Sequence, residues 1–150
     1  MSDIKIIAKN KRAGFDYFLK DKFEAGLELR GSEVKSLRLG KAHIEEAFIQ
    51  VDVRGEAWIH NLSIPPYLQS SYLGHEEKRK RKLLLHKKEI IELQEASSRD
   101  GLVLIPTILY FKNSKVKVEI ATAKGKKIHD KRQAIKSKEV ERKIRQGNLD

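Results

Sequence analysis

A chain of 150 residues with a net charge of +11 and no cysteine is long enough to bury its own core, and it excludes disulfides, thiolate metal sites and cysteine nucleophiles. Its opening run, Met-Ser-Asp-Ile-Lys, lacks the apolar stretch of a signal peptide, and no window approaches the ~20 apolar residues of a membrane span. A soluble, cytoplasmic protein is therefore expected. Residues 124–150 hold ten Lys/Arg against four Asp/Glu, so over half the excess charge sits at the C-terminal end, which points to a polyanionic partner.

Residues 4–12, Ile-Lys-Ile-Ile-Ala-Lys-Asn-Lys-Arg, read as a basic lead-in. Strands are predicted at 15–19 and 23–29, with Lys20-Asp21-Lys22 turning between them; in the second, Phe23, Ala25, Leu27 and Leu29 alternate with Glu24, Gly26 and Glu28. Gly31 and Gly40 bracket a short helix, with Ser32 as N-cap and Glu33 at the positive end of its dipole. Val34 and Leu37 face a core; Lys35 and Arg38, also three apart, share the outward face, with Lys41 just beyond.

A hairpin is predicted over 48–53 and 56–60, turning at Arg54-Gly55. A long loop then runs to about Lys82, and its Tyr67 and Tyr72 could either stack on bases or pack inside. The run Lys-Arg-Lys-Arg-Lys at 78–82 leads into an amphipathic helix read from Leu83, Ile90 and Leu93 and ending near Ser97–Ser98. His86 falls on that apolar stripe, where packing is the expected role. Two more strands, 102–111 and 116–121, are joined by a turn at 112–115, and Pro106 implies an edge or a bulge in the first.

Six or seven strands with two or three short helices make a mainly β fold, a small closed β-barrel with helical insertions. From about Asp130 the apolar pattern fails. The main large apolar residues, Ile135, Val140 and Ile144, cannot offset about 1–2 kcal/mol of backbone entropy per ordered residue. Residues 130–150 are therefore expected to be disordered alone, with a helix-favouring composition that a supporting surface could order.

No constellation supports catalysis: there is no phosphate-cradling glycine loop, no nucleophile elbow and no paired-histidine zinc spacing. No enzyme, metal or cofactor is expected. What recurs is cations: Lys9–Arg12, Lys35/Arg38/Lys41, 78–82 and Lys124–Lys127, each suited to phosphates. Glu33 among them has two readings, a helix-terminal carboxylate or an acceptor for base amino groups or a 2′-OH. His129, planar and half-charged between cations, could stack on a base.

Asn10-Lys-Arg-Ala13, Gly31-Ser-Glu-Val-Lys-Ser-Leu-Arg38 with Gly40, Arg81-Lys-Leu-Leu-Leu-His86, and Ala123-Lys-Gly-Lys-Lys-Ile-His-Asp-Lys-Arg132 together resemble the SsrA-binding protein (SmpB) family of bacteria, across essentially the whole chain and in the right order. The resemblance implies an oligonucleotide-binding-type barrel over 1–129 and a tail over 130–150 that becomes helical on the ribosome. It implies a non-enzymatic adaptor that binds the tRNA-like domain of tmRNA. With elongation factor Tu on the aminoacylated RNA, the adaptor delivers it to stalled 70S ribosomes for trans-translation. It implies that the tail reads an empty mRNA channel at the small-subunit decoding centre. A monomer is expected.

By motif, Asn10, Glu33, Lys35, Arg38 and Lys124 fall on the tmRNA side; Arg12, Ser36, Lys41, Arg81, Lys82, Lys126 and Lys127 complete the expected RNA-binding set. Asp130, Lys131 and Arg132, with His129, fall on the ribosome-engaging tail motif, which Lys136, Lys138 and Arg142 extend. Two places depart from the family pattern. Residues 74–77, Gly-His-Glu-Glu, lack its proline, and Thr122 stands where leucine is common. The alternative from a different class is a non-selective basic ribosomal or nucleoid protein using the same charges.

Overall fold

The computed structural model describes residues 3–66 and 76–126. Seven strands and three helices follow in the order β1 (Ile4–Lys9), α1 (Ala13–Asp16), β2 (Tyr17–Leu27), α2 (Gly31–Arg38), β3 (Phe48–Val51), β4 (Ala57–His60), β5 (Arg81–Leu84), α3 (Lys87–Ser98), β6 (Val103–Lys112) and β7 (Lys115–Gly125). All pairings are antiparallel, and the sheet order is β1-β6-β7-β2-β5-β4-β3. A mainly β fold is as expected. The closure is not: β3 lies beside β6, but no ladder joins them among the described residues.

The core forms where alternating strands turn one face inward. Ala25 and Leu27, Ile49, Ile59, Leu83, Leu109, and Val118 and Ile120 are buried there, with Leu37 of α2 and Leu93 of α3 closing over them. Burying Leu37, which is 1% exposed, is worth about 1.5–3 kcal/mol; it is the main apolar tether of α2. Gly40, at φ +74°, ends that helix in the left-handed conformation that glycine adopts without strain.

Several predicted boundaries are corrected. The lead-in at 4–12 contains an edge strand, β1, paired to β6. Residues 15–29 form no hairpin: 13–16 are helical, and β2 runs unbroken through 20–22, where a register shift between Leu19 and Lys22 absorbs the polar residues. Arg30, not Ser32, is the N-cap of α2. The apolar run after residue 82 opens as strand β5, because it bridges β2 and β4, and the helix starts only at Lys87. His86 is its exposed N-cap rather than a packed residue. Pro106 does sit at a bulge, between Pro106 and Ile108, but in an interior strand.

The β6–β7 hairpin closes through Asn113 and Ser114, both at positive φ (50° and 69°), between the paired Lys112 and Lys115. Such a two-residue turn favours Asn-Gly, and a serine there is strained by about 1 kcal/mol. Ser114→Gly is expected to raise the melting temperature by a few degrees; an unchanged or lowered value in a thermal melt would show that the turn is not strained.

Candidate nucleic-acid interface

The α2 segment is organised from beneath. The Glu33 side chain is completely buried. Its carboxylate accepts the Arg30 backbone N–H at 2.8 Å, Arg79 through Nη2 at 2.5 Å and Nε at 3.1 Å, and Arg81 Nε at 2.5 Å. Arg81 is buried too. Its remaining donors reach the Leu62 carbonyl at 2.7 Å and the Arg79 and Glu77 carbonyls at 3.1 Å. Ser36, also buried, donates to the Pro65 carbonyl at 2.7 Å. These bonds fasten α2 to the chain on both sides of 67–75.

Burial alone would raise the Glu33 pKa. The hydrogen bonds from Arg79, Arg30 and Arg81 outweigh it, and the carboxyl lies below its usual range. For Arg81 burial wins over the pull of Glu33 and lowers the guanidinium, but arginine starts so high that it stays cationic at neutral pH. Glu33 therefore faces two cations and no open surface. Glu33, Ser36 and Arg81, expected in the RNA-binding set, are buried, with their polar atoms engaged inside the protein. The helix-terminal reading of Glu33 is the one its bond to Arg30 matches.

With its inner side fixed, α2 turns Lys35 and Arg38 to solvent, and Lys41 follows, all exposed. Arg38 lines a cleft with Lys5, Asp3, Phe111 and Ser114, so Lys5 of β1 joins this cationic set. Nothing local marked it, because the lead-in gave no sign of the ladder that carries it there.

A second set gathers around α1. Asn10, half-buried, is a turn residue: Nδ2 donates to the Pro106 carbonyl at 3.0 Å, and Oδ1 accepts the Arg12 N–H at 3.2 Å. Arg12 is exposed, 3.2 Å from Asp16 and over the Phe15 ring. Lys124 is exposed opposite Phe18, itself 47% exposed. Lys126 donates to the Gly14 carbonyl at 2.9 Å and lies over the Phe18 ring at 4.9 Å. This set stands near the C-terminal end of β7, and the α2 set near the 113–114 turn. Nine residue steps of strand, from Lys115 to Lys124, at ~3.3 Å each separate the two by roughly 30 Å. The residues expected on one side thus form two cationic regions.

A third group, Lys82 with its neighbours, sits on the face formed by β3, β4 and β5. Lys82 is opposite Trp58 and 3.9 Å from Glu56. Lys80 Nζ lies 4.5 Å from the centroid of the Trp58 ring, and Phe48 stacks on His60 at 5.0 Å. Trp58 and His60, two apart on a predicted strand opposite Phe48, were the available signal for this aromatic cluster. Tyr67, Tyr72, Lys127, His129, Asp130, Lys131, Arg132, Lys136, Lys138 and Arg142 lie outside the described residues. Among the described residues no group of three His, Asp or Glu could hold a metal ion, and no helix is long and apolar enough to cross a membrane.

The SmpB protein family matches over residues 7–148. An SsrA-binding protein of Sulfurihydrogenibium sp. (strain YO3AOP1) is 49% identical over 140 residues, covering 93% of this chain and 91% of the relative. One from Saccharopolyspora erythraea is 51% identical over 140 residues, covering 93% and 88%. A solved structure described as "tmRNA-SmpB: a journey to the center of the bacterial ribosome" contains a chain 40% identical to this one. It superposes with a TM-score of 0.69 over 85% of this chain and 93% of that one.

Proposed function

The chain belongs to the SmpB family, and from that membership we propose a non-enzymatic RNA-binding adaptor that binds tmRNA and brings it to stalled ribosomes for trans-translation. The observation that carries the reading is half-identity to SsrA-binding proteins over nine-tenths of the chain, which takes in the whole α2 motif. The physical support is that α2 presents Lys35, Arg38 and Lys41 on a rigid base.

Lys35, Arg38, Lys41, Arg12, Lys82, Lys124 and Lys126 are the proposed contacts to the tRNA-like domain, with Asn10, Glu33, Ser36 and Arg81 holding them in place. Residues 1–129 act as the RNA-binding body. The open sheet, with β3 lying beside β6, supports relating it to an oligonucleotide-binding barrel that is incompletely closed. Residues 130–150 are proposed to engage the small-subunit decoding centre and mRNA channel, with His129–Arg132 at their start. Elongation factor Tu would accompany the charged RNA, and the cytoplasm is the corresponding compartment.

The test is binding of the tRNA-like domain of tmRNA under competition from excess bulk tRNA near physiological salt. The complex is expected to survive, and Lys35→Ala with Arg38→Ala should weaken it and reduce the slope of log K against log salt by about 0.7–0.9 per lost phosphate contact. Displacement by bulk tRNA would favour a non-selective ribosomal or nucleoid protein instead.

A further inference from the structure

We propose that the outer face of β3, β4 and β5 is a platform for unpaired RNA nucleotides, with Phe48, Trp58 and His60 as stacking surfaces and Lys80 and Lys82 as phosphate partners. The proposal rests on the RNA-binding reading and adds to it a face separate from α2.

The register builds this face. Phe48 pairs with His60, Gln50 with Trp58, and Trp58 with Lys82. Side chains alternate along a strand. Ile49, Ala57, Ile59, Arg81 and Leu83 are buried on the inner side, so Phe48, Gln50, Trp58, His60 and Lys82 share the outer one. Arg81 reaches inward to Glu33 and α2, which puts the α2 frame and the aromatic face on opposite sides of the same strand.

Three rings outside a core that is already filled call for an explanation. Phe48 is 41% exposed and lies nearly parallel to His60, with 12° between the planes, a ready-made offset stack that a base could extend. The Trp58 indole N–H donates to Asp52 at 2.9 Å, which fixes the ring by its edge and leaves a face for stacking. Lys80 now covers that ring as a cation–π partner. A base arriving there would displace the ammonium, and the lysine would find a phosphate instead. Burial, then the charge of Lys80, holds His60 below the usual imidazole range, so it is a neutral ring near pH 7. Beside Trp58 a cleft of about 440 Å³ is lined by Arg30, Arg79 and Lys82 together with Glu28 and Glu56. Aromatic faces interleaved with lysines are what sequence-tolerant binding of unpaired nucleotides requires, each stacked base strengthening binding roughly five- to hundredfold.

The chain has one tryptophan, so its emission reports this face alone. Full-length protein titrated with an unstructured 12-nucleotide single-stranded RNA should show saturable quenching that weakens with salt. Phe48→Leu and Lys80→Gln, which keep most of the bulk, should each weaken it about tenfold, at a melting temperature close to wild type. Lys35→Ala with Arg38→Ala should leave it largely unchanged while weakening the tRNA-like domain of tmRNA. Absence of quenching in a protein that still binds that domain would overturn the platform and leave the proposed function standing, as would quenching indifferent to both Phe48→Leu and Lys80→Gln. A protein that binds neither RNA would overturn both.

Discussion

Glu33→Ala should destabilise the fold by about 3–5 kcal/mol and weaken tmRNA binding with it, although the substitution adds positive charge. Removing the carboxylate leaves Arg81 as a cation with no exposed surface, and the arrangement of α2 against 62–66 and 76–79 loses its centre. Long-range attraction to RNA should rise slightly, so any loss of affinity must come from misplacing Lys35, Arg38 and Lys41. Chemical denaturation and RNA titration on the same samples separate the cases. A wild-type stability with reduced affinity would restore Glu33 as a direct RNA contact; a reduced stability with unchanged affinity would show that the frame does not position the cations.

Two refinements sharpen this test. In a double-mutant cycle, Glu33→Leu with Arg81→Met should cost less than the two single changes added, because the fully buried Arg81 is no longer left as an unpaired cation, although Arg79 still loses its carboxylate partner. Recovery should be incomplete, since Arg81 also serves the carbonyls of Leu62, Arg79 and Glu77. The pH dependence follows from the depressed Glu33 pKa. A carboxyl held below its unfolded value of about 4.3 contributes stability that is present above that pH and lost as pH falls through the folded value. Glu33→Gln, unable to ionise, should therefore show a flatter stability profile below about pH 4.3 than the wild type, in urea titrations run from pH 7 to pH 3.

How much of this was legible in the sequence depended on the range of the interaction. The outward placement of Lys35 and Arg38 followed from three-residue spacing, and the 48–60 hairpin from alternation around Arg54-Gly55; both are local. The strand β1 was not legible, because Ile4 and Ile6 are exposed and its partner β6 lies a hundred residues away. The leucines at 83–85 could be strand or helix by pattern, and only pairing to both β2 and β4 decides it. The Glu33–Arg81 bond, 48 residues apart, left no trace. An arginine within the basic run 78–82 reads as a solvated surface residue, while in the fold Arg81 is fully buried. The motif was legible, but the burial of Glu33, Ser36 and Arg81 within it was not.

Deleting residues 130–150 should abolish peptide tagging on stalled ribosomes and leave affinity for the tRNA-like domain within a few-fold of the full chain. The argument starts at Lys126, whose backbone N–H donates to the Asp16 carbonyl at 2.8 Å and whose ammonium donates to the Gly14 carbonyl. The last described residue is thus bonded to the α1 segment, and the cut removes no described core residue and leaves Arg12, Lys124 and Lys126 in place. What it removes is seven Lys/Arg against four Asp/Glu, a modest excess whose loss should lower the salt slope slightly. Spread over 21 residues, those charges would span roughly 30 Å as a helix and about 70 Å extended, a reach suited to an RNA-lined channel beyond the body. Lys124→Ala should behave in the opposite way, weakening tmRNA binding and reducing tagging only in proportion. Measuring tmRNA affinity and tagging in parallel for the two variants decides the matter: if the deletion loses both to the same degree, the body and the tail are not separate binding units, and the junction after Lys126 has no functional meaning.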